Sequence, residues 1–284
     1  MKKNTIFWTL GALFLANIFA WSIVYDLNRT EFLEVNFFDV GQGDAIFIET
    51  PENYQILIDG GPDSAILEKL GKEMPFWDRS IDLIILTHPE HDHIAGLLEV
   101  LERYQVDCIL WTGIIRDTAE YEEWKDMIKE EGTNIKIAQA GQKIITPQVF
   151  IDILHPRESL EGQEFDNNNN TSIISRLNFG ETPFVFTGDA YKSVERELVG
   201  LGVEIDCDVL KIGHHGSKTS TSKELLEEVT PEIAIISSGK DNAYGHPHQE
   251  TLDVLTEYGI RILRTDQLGD IKIISSGKEI ITKP

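Results

Sequence analysis

The chain has 284 residues, 41% of them hydrophobic and 26% charged, which is the balance of an ordinary globular protein with enough length for a full core. Its formal net charge of −23 argues against tight, non-specific nucleic-acid binding, because an acidic surface repels phosphate backbones. A phosphoester substrate stays open, since bound divalent cations reverse the sign of the field locally.

The first element predicted is apolar. Lys2-Lys3 precedes an uncharged run from Ile6 to Tyr25, which as a helix covers ~30 Å, the thickness of a bilayer core. Flanking lysines stay on the cytoplasmic side, so the expectation is an uncleaved signal anchor. Residues 1–31 are then one membrane segment with a short linker, Asp26–Glu31, and residues 32–284 lie outside the cytoplasmic membrane. The competing reading is a signal peptide, cleaved near Ala20, that releases a secreted protein.

Strand-like runs rich in Ile, Val and Phe follow. They are Leu33–Phe38, Ala45–Glu49, Gln55–Ile58, Ile81–Leu86, Val106–Leu110, Ile135–Ala138, Val149–Leu154, Ser172–Asn178, Phe184–Thr187, Cys207–Ile212, Ile233–Ser237, Ile260–Thr265, Ile271–Ser275 and Glu279–Thr282. Helical runs are Ser64–Leu70, Ile94–Tyr104, Ala119–Glu131, Ser193–Leu201, Lys223–Val229 and Gln249–Tyr258. Within the second of these, Ile94, Leu97, Leu98 and Leu101 recur at helical spacing and form one apolar face. Strands outnumber helices too heavily for a doubly wound sheet. The early strands follow one another through Gly41-Gln42-Gly43 and Pro51-Glu52-Asn53, as hairpins do. The later ones alternate with helices. Together these features predict an α/β protein made of two mixed β-sheets packed face to face with helices outside. The polar stretch from Arg157 to Asn170, ending in an asparagine tract, is expected to be a loop over a site. The two cysteines, Cys108 and Cys207, read as buried thiols.

Seven of the eight histidines fall in three tight groups: His88/His91/His93, His214/His215 and His246/His248. Each group follows an apolar strand, and a further strand runs into Gly188-Asp189. Strand-end loops that converge on one edge would bring these side chains together. Imidazole nitrogen and carboxylate oxygen suit a divalent metal of borderline softness, such as zinc. Asp92-His93 opens a helix. His88 and Glu90 can face one cation, Asp92 and His93 a second, and Asp189 can bridge the two. Such a pair lowers the pKa of a bound water to ~7 and clamps the attacking and leaving oxygens of a phosphoester.

These residues resemble the metallo-β-lactamase superfamily. Thr87 to His93 is similar to its His-x-His-x-Asp-His signature, with Glu90 where the second His usually stands. Leu57-Ile58-Asp59-Gly60-Gly61 resembles its first motif, and Thr187-Gly188-Asp189 its bridging aspartate. Within the superfamily, Phe37-Phe38-Asp39-Val40-Gly41-Gln42-Gly43-Asp44-Ala45, the run Leu210 to Ser222, Asn169-Asn170-Thr171-Ser172 and Tyr244-Gly245-His246-Pro247-His248 resemble the hydrolase domain of the ComEC/Rec2 competence proteins. The resemblance runs from about Leu33 to Ile281. It implies an αββα four-layer sandwich and a binuclear metal-dependent hydrolase. In the competence proteins that domain stands beside a multi-helix DNA channel and is thought to degrade the strand not taken up. This chain has one apolar segment, so a channel is not expected of it. Glu90 hardens one site and makes manganese the alternative to zinc.

The expected ligands are therefore His88, Glu90, Asp92, His93, Asp189 and one of His214/His215, with His215 preferred. His214 is expected to contact substrate. Asp59 is expected to orient the ligand loop from behind, and His246 to contact or protonate the leaving group. Gly216-Ser217-Lys218-Thr219 would suit an anionic oxygen, unless Thr221 or Ser222 merely caps the next helix. Lys211 either pairs with a buried carboxylate or belongs to the site. A phosphodiester or other phosphoester, nucleic acid included, is the leading substrate class. A carboxyl-ester or lactone hydrolase is the first alternative, favoured if Trp111, Tyr121 or Trp124 form an apolar pocket. A non-catalytic binding module linked to DNA uptake is the second.

Overall fold

A computed structural model describes residues 3–27 and 31–283. The chain begins with α1 (Lys3–Leu27), in which every described side chain, from Ile6 to Trp21, is exposed. Among the described residues no helix is long and apolar enough to cross a membrane. Lys2 and residues 28–30 of the expected linker lie outside the described residues.

The first sheet takes β1 (Leu33–Phe37), β2 (Ile46–Glu49), β3 (Gln55–Ile58), β4 (Ser80–Leu86), β5 (Gln105–Trp111) and β6 (Asn134–Ile137) in sequence. The second takes β7 (Lys143–Ile145), β8 (Phe150–His155), β9 (Ile174–Asn178), β10 (Phe184–Phe186), β11 (Val209–Lys211), β12 (Ile233–Ile236) and β13 (Arg261–Arg264). The chain then returns to the first sheet, where β14 (Ile271–Ser275) pairs with β1, and β15 (Ile280–Lys283) forms the edge. β1 to β3 are antiparallel, whereas β3 to β6 and β10 to β13 are parallel. Both sheets are mixed, as the hairpin-then-alternation pattern predicts. The helices are α2 (Ala65–Glu73), α3 (His91–Leu101), α4 (Ala119–Glu131), α5 (Lys192–Leu201), α6 (Lys223–Val229), α7 (Gln249–Glu257) and the single turn α8 (Thr265–Leu268).

Three apolar layers show why this is a four-layer sandwich. Alternate side chains on a strand face opposite ways. Thus Ile46 and Ile48 of β2, with Ile56 and Ile58 of β3, meet Ile151, Phe184 and Phe186 between the sheets. Phe47 and Leu57, one residue out of step, pack instead under α2, α3 and α4 beside Ile94, Leu97 and Trp124. On the far side Val185, Leu210 and Ala234 pack under α5, α6 and α7. Trp111, Tyr121 and Trp124 belong to the α3/α4 layer. All three are buried there, so they read as core packing and not as the lining of an open pocket. Cys108 and Cys207 are free thiols, the second buried and the first partly so.

Two local expectations shift. β7 has a mixed Lys143-Ile144-Ile145 sequence without an apolar run, and its antiparallel pairing with β8 supplies the strand. α3 starts at His91, three residues before the apolar periodicity begins, because Glu90 takes the N-cap position in extended backbone.

One polar contact ties the sheets together. Lys211, at the end of β11, is fully buried and places Nζ 2.8 Å from Oδ2 of Asp44 in the β1–β2 connection. The same ammonium donates to the Ile212 carbonyl at 2.8 Å. Burial would raise the Asp44 carboxyl, but Lys211 and His215 hold it down at about 2. Removing one partner of a buried pair strands the other charge, which costs about 3–5 kcal/mol. Lys211→Met is therefore expected to lower unfolding free energy by about that much in denaturant titration, and Asp44→Asn/Lys211→Met to lose less than the sum of its single changes.

Candidate metal centre

Carboxyl ends of parallel strands from both sheets meet at one edge, the place where α/β folds collect functional side chains. β3 ends at Asp59, β4 at Thr87-His88, β10 at Gly188-Asp189, and β11 at the His214-His215 turn. Asp59, His214 and His215 have φ of 58°, 49° and 54°, a left-handed backbone that non-glycine residues adopt at a cost. The turn thereby delivers two adjacent imidazoles to one site. Gly43 lies so close to the ligand loop that a Cβ there would sit 2.3 Å from the Asp92 carbonyl.

The Nε2 atoms of His88, His93 and His215 lie 3.9, 3.5 and 3.4 Å from Oδ2 of Asp189. Asp92 approaches from the side, with Oδ2 3.2 Å from His215 Nε2 and Oδ1 3.9 Å from His93 Nε2. Among the described residues, the three Nε2 atoms and Asp189 Oδ1 are buried without a hydrogen-bond partner. Such orphans are rare in native interiors. Donor atoms of His88, His93 and Asp189, and of Asp92, His93 and His215, fall within 4.8 Å of one another.

Each of the three histidines is held from behind. His93 Nδ1 lies 2.8 Å from Asp59 Oδ2, and Asp59 also accepts from the Thr87 amide at 2.8 Å and the Thr87 hydroxyl at 2.7 Å. His215 Nδ1 donates to the Ser237 carbonyl at 3.0 Å, and His88 Nδ1 sits 3.1 Å from the Thr87 hydroxyl. These contacts fix the tautomer that leaves Nε2 free for a cation.

The electrostatics ask for positive charge. Asp44, Asp59 and Asp189 are buried and Asp92 is largely so, while Lys211 is the one ammonium paired in their midst among the described residues. Burial opposes ionisation of Asp189, yet His215 and His93 hold it well below the usual carboxylate range. Burial likewise opposes charging of His93 and His215, yet Asp189 with Asp59 or Asp44 raises both well above an ordinary imidazole. At His88 burial and the neighbouring His93 outweigh the pull of Asp189, Asp92 and Asp44 and press it down to about 3. A divalent cation among these atoms would supply the charge that the protons supply without it. The residues fit such an ion.

The remaining expected residues stand apart from that cluster. Glu90 lines the same pocket, but its carboxylate belongs to none of the donor groups. It is engaged by Arg116 and by Asn168, each at 2.9 Å. His214 is partly exposed at the mouth, with Nδ1 2.9 Å from the Thr219 hydroxyl and Nε2 3.3 Å from Asn169. His246 lies across the mouth, its ring 5.3 Å from that of His214 and stacked on Tyr244. Burial, with His214, His215 and His248 nearby, lowers its pKa to about 4, so at neutral pH it offers a neutral contact and not a ready proton. His91 is exposed beside Glu120.

The Gly216–Thr219 loop spends its polar groups internally. Ser222 caps α6, Glu195 accepts the Thr221 and Ser222 amides, and Thr219 braces His214. Asn168, Asn169 and Asn170, legible in the sequence only as a loop and a motif, take definite roles in the structure. They reach Glu90, His214 and the Tyr191 amide in turn, so the tract is a brace with one bond to each of three different residues. Lys211 and Asp44 were legible only as a question, which their pairing answers.

The sequence profile described as the metallo-beta-lactamase superfamily matches residues 38–240. ComE operon protein 3 of Bacillus subtilis is 34% identical over 257 residues, which cover 84% of this chain and 32% of that protein. Recombination protein 2 of Haemophilus influenzae is 30% identical, with 84% and 28% covered. The chain thus spans about a third of the length of these curated relatives. Among solved structures, the metallo-beta-lactamase fold protein YhfI of Bacillus subtilis superposes with a TM-score of 0.58 at 16% identity, covering 87% of this chain and all of that one. A metallo hydrolase from the archaeon Ignicoccus hospitalis reaches 0.54 at 16% identity, with 89% and 99% covered.

Asp59→Asn keeps the shape behind His93 but removes the charge and the fixed acceptor. It is expected to weaken divalent-metal affinity by about 10–100-fold in a competitive chelator titration, with the fold retained by circular dichroism.

Proposed function

The chain belongs to the metallo-β-lactamase superfamily, and from that premise we propose that it is a binuclear metal-dependent phosphodiesterase. The observation that carries this reading is the set of orphaned Nε2 atoms of His88, His93 and His215 around Asp189. His88, Asp92, His93, Asp189 and His215 would hold the ions, zinc or manganese by donor type. Bound there, divalent cations supply Lewis acidity and a water nucleophile at neutral pH.

The chain's own residues do the rest. Asp59 and the Ser237 carbonyl keep His93 and His215 aimed inward. His214 and His246 border the open pocket and contact the substrate's anionic oxygens. His214 is positioned for that by Thr219 and Asn169. His246, neutral at pH 7, contributes a hydrogen bond from whichever ring nitrogen carries the proton. The lining is carboxylate, imidazole and amide, with the Tyr244 phenol beside them. That polarity supports a phosphoester over an apolar ester or lactone. The relatives named for competence and recombination support a nucleic-acid strand as the natural diester, held by the metal centre and without tight non-specific binding, given a net charge of −23. In this reading the apolar run Ile6–Tyr25 tethers the catalytic body to the outer side of the cytoplasmic membrane. Support for it comes from the uncharged sequence and the exposed side chains of α1.

The test uses the full-length chain stripped by chelator and reloaded with manganese or zinc. Hydrolysis of bis-p-nitrophenyl phosphate should appear on reloading, and Asp92→Ala or His215→Ala should reduce it by ~100-fold or more. Faster turnover of p-nitrophenyl acetate or a lactone than of the diester would reverse the substrate assignment. Undiminished activity in both variants would remove the centre from the chemistry.

A further inference from the structure

Glu90 lines the pocket, yet its carboxylate is taken up by partners other than the imidazoles. Its backbone explains how this is possible. As the N-cap of α3 it is extended, with φ −88° and ψ 151°, and its carbonyl accepts the His93 and Ile94 amides at 2.9 and 3.0 Å. The backbone is pinned while the side chain can swing. Two partners hold the side chain where it is. The Arg116 guanidinium lies 2.9 Å from it, and the Asn168 amide donates to Oε1 at 2.9 Å. Asn168 is 2% exposed, so its own position is fixed by the surrounding structure.

The consequence is an unequal pair of positions. Asp92, His93 and His215 make one compact donor group, with Asp189 beside it. A second group, the one that includes His88, is His88, His93 and Asp189. It shares His93 with the first and takes Asp189 from beside it, so only His88 stands clear of the first position. A zinc-like ion ordinarily takes at least three protein ligands. Once the first position has drawn on His93 and Asp189, the position at His88 lacks a donor, and Glu90 is the acidic side chain of the pocket left to provide it. To do so it must leave a charge-assisted pair with Arg116, whose Nη2 lies 2.9 Å from each carboxylate oxygen, and charge-assisted contacts are among the stronger hydrogen bonds in proteins.

We propose that Arg116 and Asn168 hold Glu90 in reserve, so that the centre takes one cation tightly and a second only in competition with Arg116. Arg116 is thus a positioning residue that sets how readily the second ion loads. This inference rests on the metal-centre reading above and deepens it.

The test is manganese binding to the metal-free, full-length chain. Free Mn²⁺ is followed by room-temperature electron paramagnetic resonance, and a spin-coupled pair is sought at low temperature. The wild-type chain should show one tight ion and a separate weak class, the coupled signal appearing only as the weak class fills. Arg116→Met should tighten the weak class by about 10-fold or more, and Arg116→Met/Glu90→Gln should lose that gain. Arg116→Lys keeps the charge on a shorter-reaching ammonium and should shift affinity in the same direction by less. It serves as the informative variant if the Met form does not fold.

Two equally tight ions in the wild type would overturn the inference. So would a weak class unmoved by either Arg116 change, or a gain that persists without the Glu90 carboxylate. Each of these leaves the metal centre itself standing. Absence of any tight ion in the wild type would overturn the centre and the inference together.

Discussion

Buried charge without a matching counter-charge is the constraint on which this structure turns. Asp44, Asp59, Asp92 and Asp189 crowd one edge of the sandwich, and Lys211 neutralises one of them directly. The protein interior penalises such an excess heavily unless protons or cations balance it. The three inward-facing Nε2 atoms provide the ligand set through which a cation would do so. Burial, geometry and charge all converge on the same few ångströms.

The fold supplies that concentration by joining two half-sites. Asp59, His88, Asp92 and His93 come from the first sheet, and Asp189 and His215 from the second. The donor groups His88/His93/Asp189 and Asp92/His93/His215 each draw on both sheets. Hence the Asp44–Lys211 pair matters beyond its own energy. It crosses between the sheets, and Asp44 Oδ1 lies 3.4 Å from His215 Nδ1, so the tie ends against a ligand candidate. The Asp44 amide donates to the Asp92 carbonyl at 3.3 Å, which locks the connection to the other half as well. The left-handed residues Asp59, His214 and His215 are strained at this junction, where strain is tolerated because the surroundings overdetermine it.

Much of this was legible in the chain itself. Apolar runs marked the strands, and histidines placed after such runs marked the edge, because a strand end aims its next residues at a common rim. Glu90 shows where that logic stops. Spacing alone puts it beside His88, but spacing carries no information about Arg116, which is 26 residues away and reaches it only in the folded state. The asparagine tract shows the same limit. Its composition reads as a loop, whereas its function as a brace depends on three partners drawn from separate elements. Trp111, Tyr121 and Trp124 could be read as a pocket or as core, and only the α3/α4 layer decides for core. β7 was invisible because its identity comes from pairing with β8 and not from its own residues.

The most direct measurement is anomalous diffraction from crystals of the chain grown with manganese or zinc, recorded at the metal's absorption edge. The account predicts a dominant peak ~2.0–2.2 Å from Nε2 of His93 and Nε2 of His215, with Asp92 and Asp189 oxygens completing the coordination. Ordered side chains with no peak there, their imidazole nitrogens satisfied by water or by one another, would contradict it.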